Sequence, residues 1–290
     1  MRILSIQSSV AYGHVGNSAA TFPLQRLGHE VWPVNTVHFS NHTGYGDWRG
    51  VVFEPATVAD LIEGIADRGV LGTADAVLTG YQGSPGVAAV VLATVERIRS
   101  QNPGLVYCCD PVMGDVGRGM FVLPGIPQLM REQVVTAADI VTPNAYELSY
   151  LAGSGGDPAT ATRADVSTVE GVLAAAEKLR ALGPRTVLVT SVEHTDLPDD
   201  EIAMVALDDQ GAWLVSTPRL PVSVNGAGDV TAALFLAHLG AGTDVALGRV
   251  AATVFAVLEA TVTAGSREIR LIDAQESIAF PPDRFRVRRL

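Results

Sequence analysis

The chain has 290 residues, of which 48% are hydrophobic and 18% charged, and its 20 basic and 31 acidic residues give a formal net charge of −11. This composition is typical of a globular protein and excludes a disordered chain. The negative charge argues against nonspecific binding to nucleic acid or to an anionic membrane surface.

The sequence carries no recognisable targeting or membrane signal. The N-terminal residues become polar too soon for a signal peptide, and no run of about 20 uncharged apolar residues predicts a membrane span. Cys108 and Cys109 are adjacent, a spacing unsuited to a disulfide framework or to the usual zinc site, so we expect them to pack in the core. We therefore expect a cytoplasmic protein.

Short β-branched runs alternate with longer helical patterns along the chain. The runs predict strands at 3–7, 30–35, 76–79, 105–110, 140–142 and 186–190, then a hairpin of 202–206 with 212–216 and an edge strand at 284–290. Helices are predicted from a Thr57 cap to about Arg68, from Pro85 after a Ser84 cap to about Gln101, and over 169–182, 230–239 and 245–264.

This alternation predicts an α/β fold with three layers, in which helices cover both faces of a mostly parallel central sheet. The glycine-rich stretch 153–157 is loop-like but does not divide domains, so we expect one domain over residues 1–290. Ligands of such sheets bind beyond the carboxyl ends of the strands, which is where candidate site residues should be sought.

Lysine is almost absent from the sequence. Among the 20 basic residues only Lys178 is a lysine, within a predicted amphipathic helix. A Walker-type phosphate loop needs a lysine after its glycines, and a protein kinase needs one on an early strand. Any phosphate chemistry must therefore depend on backbone amides, metal ions or arginine.

The segment at 224–235 is the most informative. Gly226, Ala227 and Gly228 precede Asp229 at the start of an apolar helix. Glycines allow a backbone to approach an anion, and the free amides of a first helical turn point toward it. An aspartate there can accept a hydroxyl proton while the amides hold the phosphoryl charge. The alternative is a glycine-rich turn capped by Asp229.

Two further segments follow predicted central strands. Asp110 and Asp115 precede a glycine-rich stretch, and paired carboxylates suit Mg²⁺, although an Asp-Pro turn also commonly ends a strand. Thr142 is followed by Asn144 and Glu147, whose spacing matches a capping box but could equally serve a metal's water shell or a nucleotide phosphate. The equivalent position of all three segments favours a shared site.

Taken in order, these segments resemble the pyridoxal kinases of the ribokinase-like superfamily. The resemblance covers residues 3 to about 264, and the block at 39–46 is its specific part. The matching segments are Gln7-Ser8 with 12–20, Phe-Ser-Asn-His-Thr-Gly-Tyr-Gly at 39–46, Thr-Gly-Tyr at 79–81, Asp-Pro-Val-Met-Gly-Asp at 110–115, Thr-Pro-Asn-x-x-Glu at 142–147 and Gly-Ala-Gly-Asp at 226–229.

The resemblance implies ATP-dependent phosphorylation of the 5′-hydroxymethyl group of pyridoxal, and also of pyridoxine and pyridoxamine. It implies Asp229 as the base and the amides of Gly226, Ala227 and Gly228 as the anion hole. The implied vitamin-binding residues are Ser8, Val15, Val37, Phe39, His42, Thr43, Gly44, Tyr81 and Asp229. The implied nucleotide-binding residues are Asp110, Asn144, Glu147, Thr190, Ser191, Thr217, Pro218, Arg219, Leu220, Gly226 and Gly228.

The resemblance also implies a divalent and a monovalent cation. Mg²⁺ and K⁺ or Na⁺ would be served by Asp110, Asp115, Thr142 and Glu147. Family members are usually homodimers, so the resemblance implies a homodimer here. Three features depart from the family pattern: Ala227 stands where many pyridoxal kinases have threonine or valine, Thr190 where some have lysine, and the short lid at 114–120 carries Arg118.

Two other functions stay open on the sequence. Ala227 resembles the sugar kinases of the superfamily, so the substrate could be a sugar or a hydroxymethylpyrimidine. A noncatalytic module that binds vitamin or nucleotide is the second alternative, but the presence of Asp229, Asp110 and Glu147 argues against it.

Overall fold

The structure is a computed structural model that describes residues 1–155, 157–193 and 195–290. Gly156, in the loop predicted over 153–157, and His194 lie outside the described residues. The strands are β1 (Arg2–Val10), β2 (Glu30–Phe39), β3 (Gly50–Val52), β4 (Ala76–Thr79), β5 (Val106–Cys109), β6 (Gly114–Asp115), β7 (Gly119–Met120), β8 (Ile140–Val141), β9 (Thr186–Val192), β10 (Glu201–Asp208), β11 (Gly211–Pro218) and β12 (Arg288–Arg289).

The main sheet has the strand order β12-β11-β10-β9-β8-β5-β4-β1-β2-β3. Its centre, from β9 to β2, is parallel, whereas β3 at one end and β10, β11 and β12 at the other pair antiparallel. Every residue of the central strand β4 is buried, because helices cover both faces of the sheet there. The carboxyl ends of the parallel strands consequently lie along one edge.

The helices form the outer layers. They are α1 (Asn17–Arg26), α2 (Pro55–Ala66), α3 (Pro85–Gln101), α4 (Ile126–Leu129), α5 (Val135–Ala137), α6 (Ala145–Leu151), α7 (Val169–Arg180), α8 (Ala227–His238), α9 (Thr243–Thr263) and α10 (Gln275–Ala279). Short 3₁₀ turns lie at Thr43–Tyr45, Leu71–Thr73 and Leu239–Ala241, and a π-helical turn at Met130–Val134 joins α4 to α5. One core packs α2, α3, α6 and α7 on the sheet, and a second packs α1, α8, α9 and α10 on its other face.

The α9 helix is long and apolar enough to cross a membrane by length and composition, with a mean hydropathy of 1.7. Asp244, Arg249 and Glu259 interrupt the helix, so it contains no uncharged apolar run of about 20 residues. In the fold, α9 packs against α8, β10 and β11 and buries Val250, Ala251 and Val254 in the second core. These contacts are those of a core helix.

The predicted layers and most elements are confirmed, with corrections at their ends. Strand β4 has the predicted bounds, and the Ser84 hydroxyl accepts the Val87 amide at 3.3 Å at the start of α3. The Thr57 cap is wrong, because α2 begins at Pro55 with Glu54 as its N-cap. The predicted tail strand is reduced to Arg288–Arg289 at the sheet edge. Cys108 and Cys109 are buried and free, as expected.

Candidate active site

A cavity of about 1070 Å³ opens at the carboxyl ends of the parallel strands. Its wall continues from the strand ends to the antiparallel hairpin and α9. Residues just inside or after β1, β2, β4, β5, β8 and β9 supply the central wall: Ser8, Val37, Phe39, Tyr81, Asp110, Thr142 and Thr190.

Of the site residues predicted from sequence, all but Gly44 line this cavity. Gly44 lies behind the wall, where a Cβ atom would approach Asn225 Nδ2 to 2.6 Å and His42 Nδ1 to 2.9 Å. The absence of a side chain therefore lets the turn at Thr43–Tyr45 pack against the loop that precedes α8.

The start of α8 offers unused backbone donors to the cavity. Gly226 is the N-cap with φ 92°, and a Cβ atom there would lie 1.9 Å from the carbonyl oxygen of His14, so only glycine fits. Glycine has no side chain to accept the first-turn amides, and Ala227 and Gly228 both line the cavity. The helix terminus thus forms a site with partial positive charge that suits an anion.

Asp229 lies in the same first turn and also lines the cavity. Burial raises the pKa of its carboxyl to about 6, although hydrogen bonds from the backbone amides of Gly16 and of Asp229 itself act in the opposite direction. A carboxylate with this pKa is a better proton acceptor than an exposed aspartate and is still ionised at neutral pH.

Asp110 is a buried carboxylate that accepts fewer hydrogen bonds than Glu147 does. It is 6% exposed, and the Thr142 hydroxyl donates to its Oδ1 at 3.3 Å. Burial, followed by the charges of Glu147 and Asp229, raises the pKa of Asp110 well above its usual value. Excess negative charge of this kind is what a bound cation would neutralise.

Glu147 is buried and forms the predicted capping box with Asn144. The Asn144 amide donates to Oε2 at 3.0 Å, and the Glu147 amide donates to Asn144 Oδ1 at 2.8 Å. The amides of Met113 and Gly114 also donate to Oε1, at 2.8 and 3.3 Å. Burial raises the pKa of Glu147 to about 8, although the hydrogen bonds from these three backbone amides lower it. Glu147 therefore ties the base of the lid to α6.

The predicted lid is the hairpin of β6 and β7. Arg118 at its tip donates from Nη1 to Asn225 Oδ1 at 2.9 Å and lies 5.0 Å from the centre of the Phe121 ring. Asp115 is exposed at its base, where its Oδ1 accepts the Val116 amide. The hairpin thus borders the cavity next to the loop that leads into α8.

The far part of the cavity was not anticipated from sequence. The hairpin and α9 contribute apolar side chains to this part. Ser191, which also lines the cavity, has a positive φ of 53°, unlike the other described non-glycine residues. The apolar alternation was visible in the sequence, but it equally predicts core packing. These unpredicted lining residues are Ile202, Met204, Val215, Val254, Phe255 and Leu258.

The donor set at Asp110 can be compared with the needs of a divalent cation. Within the described ranges, no three histidine, cysteine, aspartate or glutamate side chains converge to hold a metal ion. Mg²⁺ is usually held by one or two carboxylates together with the phosphates of a substrate, so a complete protein cage is not needed. The undercompensated carboxylate of Asp110 fits this pattern, whereas the oxygens of Glu147 already accept three amides.

Comparisons with known proteins agree with this geometry. The family model of phosphomethylpyrimidine kinase matches residues 51–267. The pyridoxal kinase PdxY of Rubrobacter xylanophilus is 59% identical to this chain, covering 100% of it and 98% of that protein.

Solved structures match over the same extent. A pyridoxal kinase from Leishmania donovani in complex with ADP and ginkgotoxin has a TM-score of 0.90 and 32% identity, covering 100% of this chain and 99% of that one. The same kinase in complex with ADP and pyridoxine has a TM-score of 0.89 and 31% identity, with the same coverage.

The raised pKa of Asp229 predicts an unusual titration. In the protein without nucleotide or divalent cation, we expect one aspartate carboxyl to titrate near pH 6, protonated below and ionised above, because burial disfavours its charge. NMR of protein labelled with ¹³C at aspartate carboxyl carbons measures this, and the Asp229→Asn variant identifies the signal. If the signal lost in that variant titrates near pH 4, Asp229 is hydrated and the inference from burial is wrong.

Proposed function

Because the chain belongs to the pyridoxal kinase family, we propose that it transfers the γ-phosphoryl group of ATP to the 5′-hydroxymethyl group of pyridoxal, yielding pyridoxal 5′-phosphate. Pyridoxine and pyridoxamine are proposed as further acceptors. The observation that carries this proposal is the joint position of Asp229 and the unused amides of α8 on the wall of one cavity.

The vitamin occupies the part of the cavity near β1 and β2. Ser8, Thr43 and Tyr81 contact the pyridine ring and its substituents in this proposal. The surrounding wall is formed by Val15, Val37, Phe39 and His42, with Gly44 behind it. Phe39 stacks on Trp48, with ring centroids 3.9 Å apart, and offers an aromatic surface to a planar ring.

ATP occupies the part of the cavity between the lid and α9. Asn144, Thr190 and Ser191 face the phosphates, and residues 217–220 lie beside the adenine in this proposal. The apolar side chains of the hairpin and α9 support this assignment, because they offer a flat ring a dry surface. At the mouth, Arg219 pairs with Glu193.

Asp229 acts as the general base that accepts the hydroxyl proton. A weak base suffices, because phosphoryl transfer passes through a loose transition state in which most of the acceleration comes from alignment and charge stabilisation. The amides at Gly226, Ala227 and Gly228 donate to the transferring group, and Arg118 on the lid can add a positive charge there. No lysine is required.

Mg²⁺ and a monovalent cation, K⁺ or Na⁺, complete the proposal. Asp110 would hold the divalent cation, with Thr142, Asp115 and Glu147 around it directly or through water. When bound, the divalent cation neutralises phosphate charge and orients the γ-phosphoryl group. Burial and the charges of Glu147 and Asp229 raise the pKa of Asp110, which supports this assignment.

We further propose a single kinase domain over residues 1–290, acting as a cytoplasmic homodimer. Both cores pack on one continuous sheet, which supports the single domain. The edge strand β3 leaves Val51 and Val52 about half exposed, which supports pairing with a second copy at that edge.

Because the matching family model is that of phosphomethylpyrimidine kinase, hydroxymethylpyrimidine is the second candidate substrate. The test is incubation with Mg-ATP and, in parallel, pyridoxal, pyridoxine, hydroxymethylpyrimidine or ribose, measuring ADP release and the phosphorylated product. We expect the highest kcat/KM with pyridoxal. Preference for hydroxymethylpyrimidine or ribose would replace the proposed substrate, and binding without ADP release would indicate a noncatalytic module.

The Asp229→Asn variant tests the base. We expect turnover to fall at least about 10²-fold, because a general base typically contributes that much, while ATP binding is retained. Steady-state kinetics and nucleotide titration measure the two effects. Asp244→Asn is the matched control, since Asp244 is an exposed aspartate in the first turn of α9. Near-normal turnover of Asp229→Asn would contradict the assigned role.

The Gly228→Val variant tests the anion hole. A Cβ atom at Gly228 would meet only Asp110 Oδ2, at 3.8 Å, so the fold should tolerate the change while the side chain fills the space before the amides. We expect kcat to fall at least about 10²-fold, the usual effect of losing one such donor. Gly64→Val in α2, where a Cβ atom meets nothing within 4 Å, is the control. Unchanged kinetics would refute the anion hole.

A further inference from the structure

Glu268 is a buried carboxylate that lies behind the cavity wall, in the segment that follows α9. Its side chain is 9% exposed, and it is not among the described residues that line the cavity. It also lies outside every motif that carries the family resemblance. A buried charge is costly unless its oxygens are well partnered, so the contacts of Glu268 indicate what the charge is for.

On one side, Glu268 holds the segment that carries the vitamin-side residues His42 and Thr43. Tyr45 donates its hydroxyl to Oε1 at 2.7 Å, and His42 Nε2 lies 3.0 Å from the same oxygen. The hydrogen bond to Glu268, ahead of burial, raises the pKa of Tyr45 to about 12, so this hydroxyl stays a donor. The neighbouring Arg267 guanidinium lies 4.2 Å from the centre of the Tyr45 ring.

On the other side, Glu268 holds the loop after β1. The His14 amide donates to Oε2 at 3.2 Å, and the carboxylate packs so closely on Gly13 that a Cβ atom there would lie 2.0 Å from Oε2. This loop continues into Val15, which lines the cavity, and Gly16, whose amide donates to Asp229. One carboxylate therefore joins two loops that both border the proposed vitamin site.

Glu268 itself is fixed by its own segment. The Glu268 amide donates to Ser266 Oγ at 3.0 Å, and that hydroxyl donates back to the Glu268 carbonyl at 2.7 Å. The next residue, Ile269, is buried beside Gly226 at the start of α8. The segment that positions the Glu268 carboxylate therefore also packs against the first turn of α8.

We propose that Glu268 is a positioning residue for vitamin binding, which sets the distance between the turn at Thr43–Tyr45 and the loop at 13–16. The inference rests on the proposed function and adds a residue to it. Glu268 touches no substrate, and it acts through His42, Tyr45 and the His14 amide. Its removal loosens the vitamin side of the cavity and leaves the nucleotide side, built on β9, β11 and α9, in place.

The test compares Glu268→Ala, Glu268→Gln and Tyr45→Phe, with Glu276→Gln as the control. Glu276 is a carboxylate of α10 that pairs with Arg26 at 3.0 Å and does not line the cavity. Steady-state assays measure the KM for pyridoxal at saturating Mg-ATP, the KM for ATP and kcat, and thermal unfolding measures the Tm.

We expect Glu268→Ala to raise the KM for pyridoxal at least about tenfold, the effect of losing one hydrogen bond to a charged group. The KM for ATP should stay within about twofold, because the nucleotide side makes none of these contacts. Glu268→Gln should retain part of the affinity, since its single amide oxygen can still accept from either Tyr45 or the His14 amide, but not from both. Tyr45→Phe should raise the same KM in the same direction, and Glu276→Gln should change nothing.

A KM for pyridoxal that stays within about twofold in both Glu268 variants overturns the inference, as does an equal rise in both KM values, which would indicate general destabilisation. If Glu268→Ala does not fold, Glu268→Gln and Tyr45→Phe decide the question by the same comparison. The wild-type enzyme separates the two proposals. A wild type inactive on pyridoxal overturns both, whereas an active wild type with unaffected variants overturns only the role of Glu268.

Discussion

The site depends on an electrostatic contrast at one edge of the sheet. The first turn of α8 presents backbone amides with partial positive charge and carries Asp229, and the buried carboxylates of Asp110 and Glu147 line the same cavity. The one lysine of the chain, Lys178, lies in α7 and does not line the cavity. Burial raises the pKa of all three carboxyls, and the charges of Glu147 and Asp229 raise that of Asp110 further, which is why a cation is part of the proposed function.

Two buried glutamates fasten the loops that this arrangement needs. Glu147 accepts amides from the lid base and from Asn144, and Glu268 accepts the His14 amide and the Tyr45 hydroxyl. Both bind backbone groups, so both fix where the chain runs and not only where a side chain points. Loops that carry binding residues are mobile unless they are tied in this way. The loops around the cavity are therefore held by carboxylates, of which Glu147 lines the cavity and Glu268 does not.

The sequence predicted the parts that local chemistry controls. Ser84 caps α3, and Asn144 with Glu147 forms a capping box, because such contacts span three residues and are visible in the spacing. The same logic failed at Thr57, because the N-cap is Glu54 and the helix begins three residues earlier, at Pro55. Proline at the first helical position outweighed the side-chain cap. The apolar part of the cavity that the hairpin and α9 line was not predicted, because a helix or strand has the same hydrophobic pattern whether its apolar face packs in the core or contacts a ligand.

From the sequence alone, the alternation of elements, the family and the polar residues at the strand ends could be determined, since strand-end motifs lie at the same edge of a parallel sheet. The tertiary structure decided what lies behind the cavity wall. It brought Glu268 against Tyr45, 223 positions away, and against the amide of His14, 254 positions away. No pattern of neighbouring residues encodes such a contact, because it exists only once α9 has packed on the sheet and carried its following segment to the site.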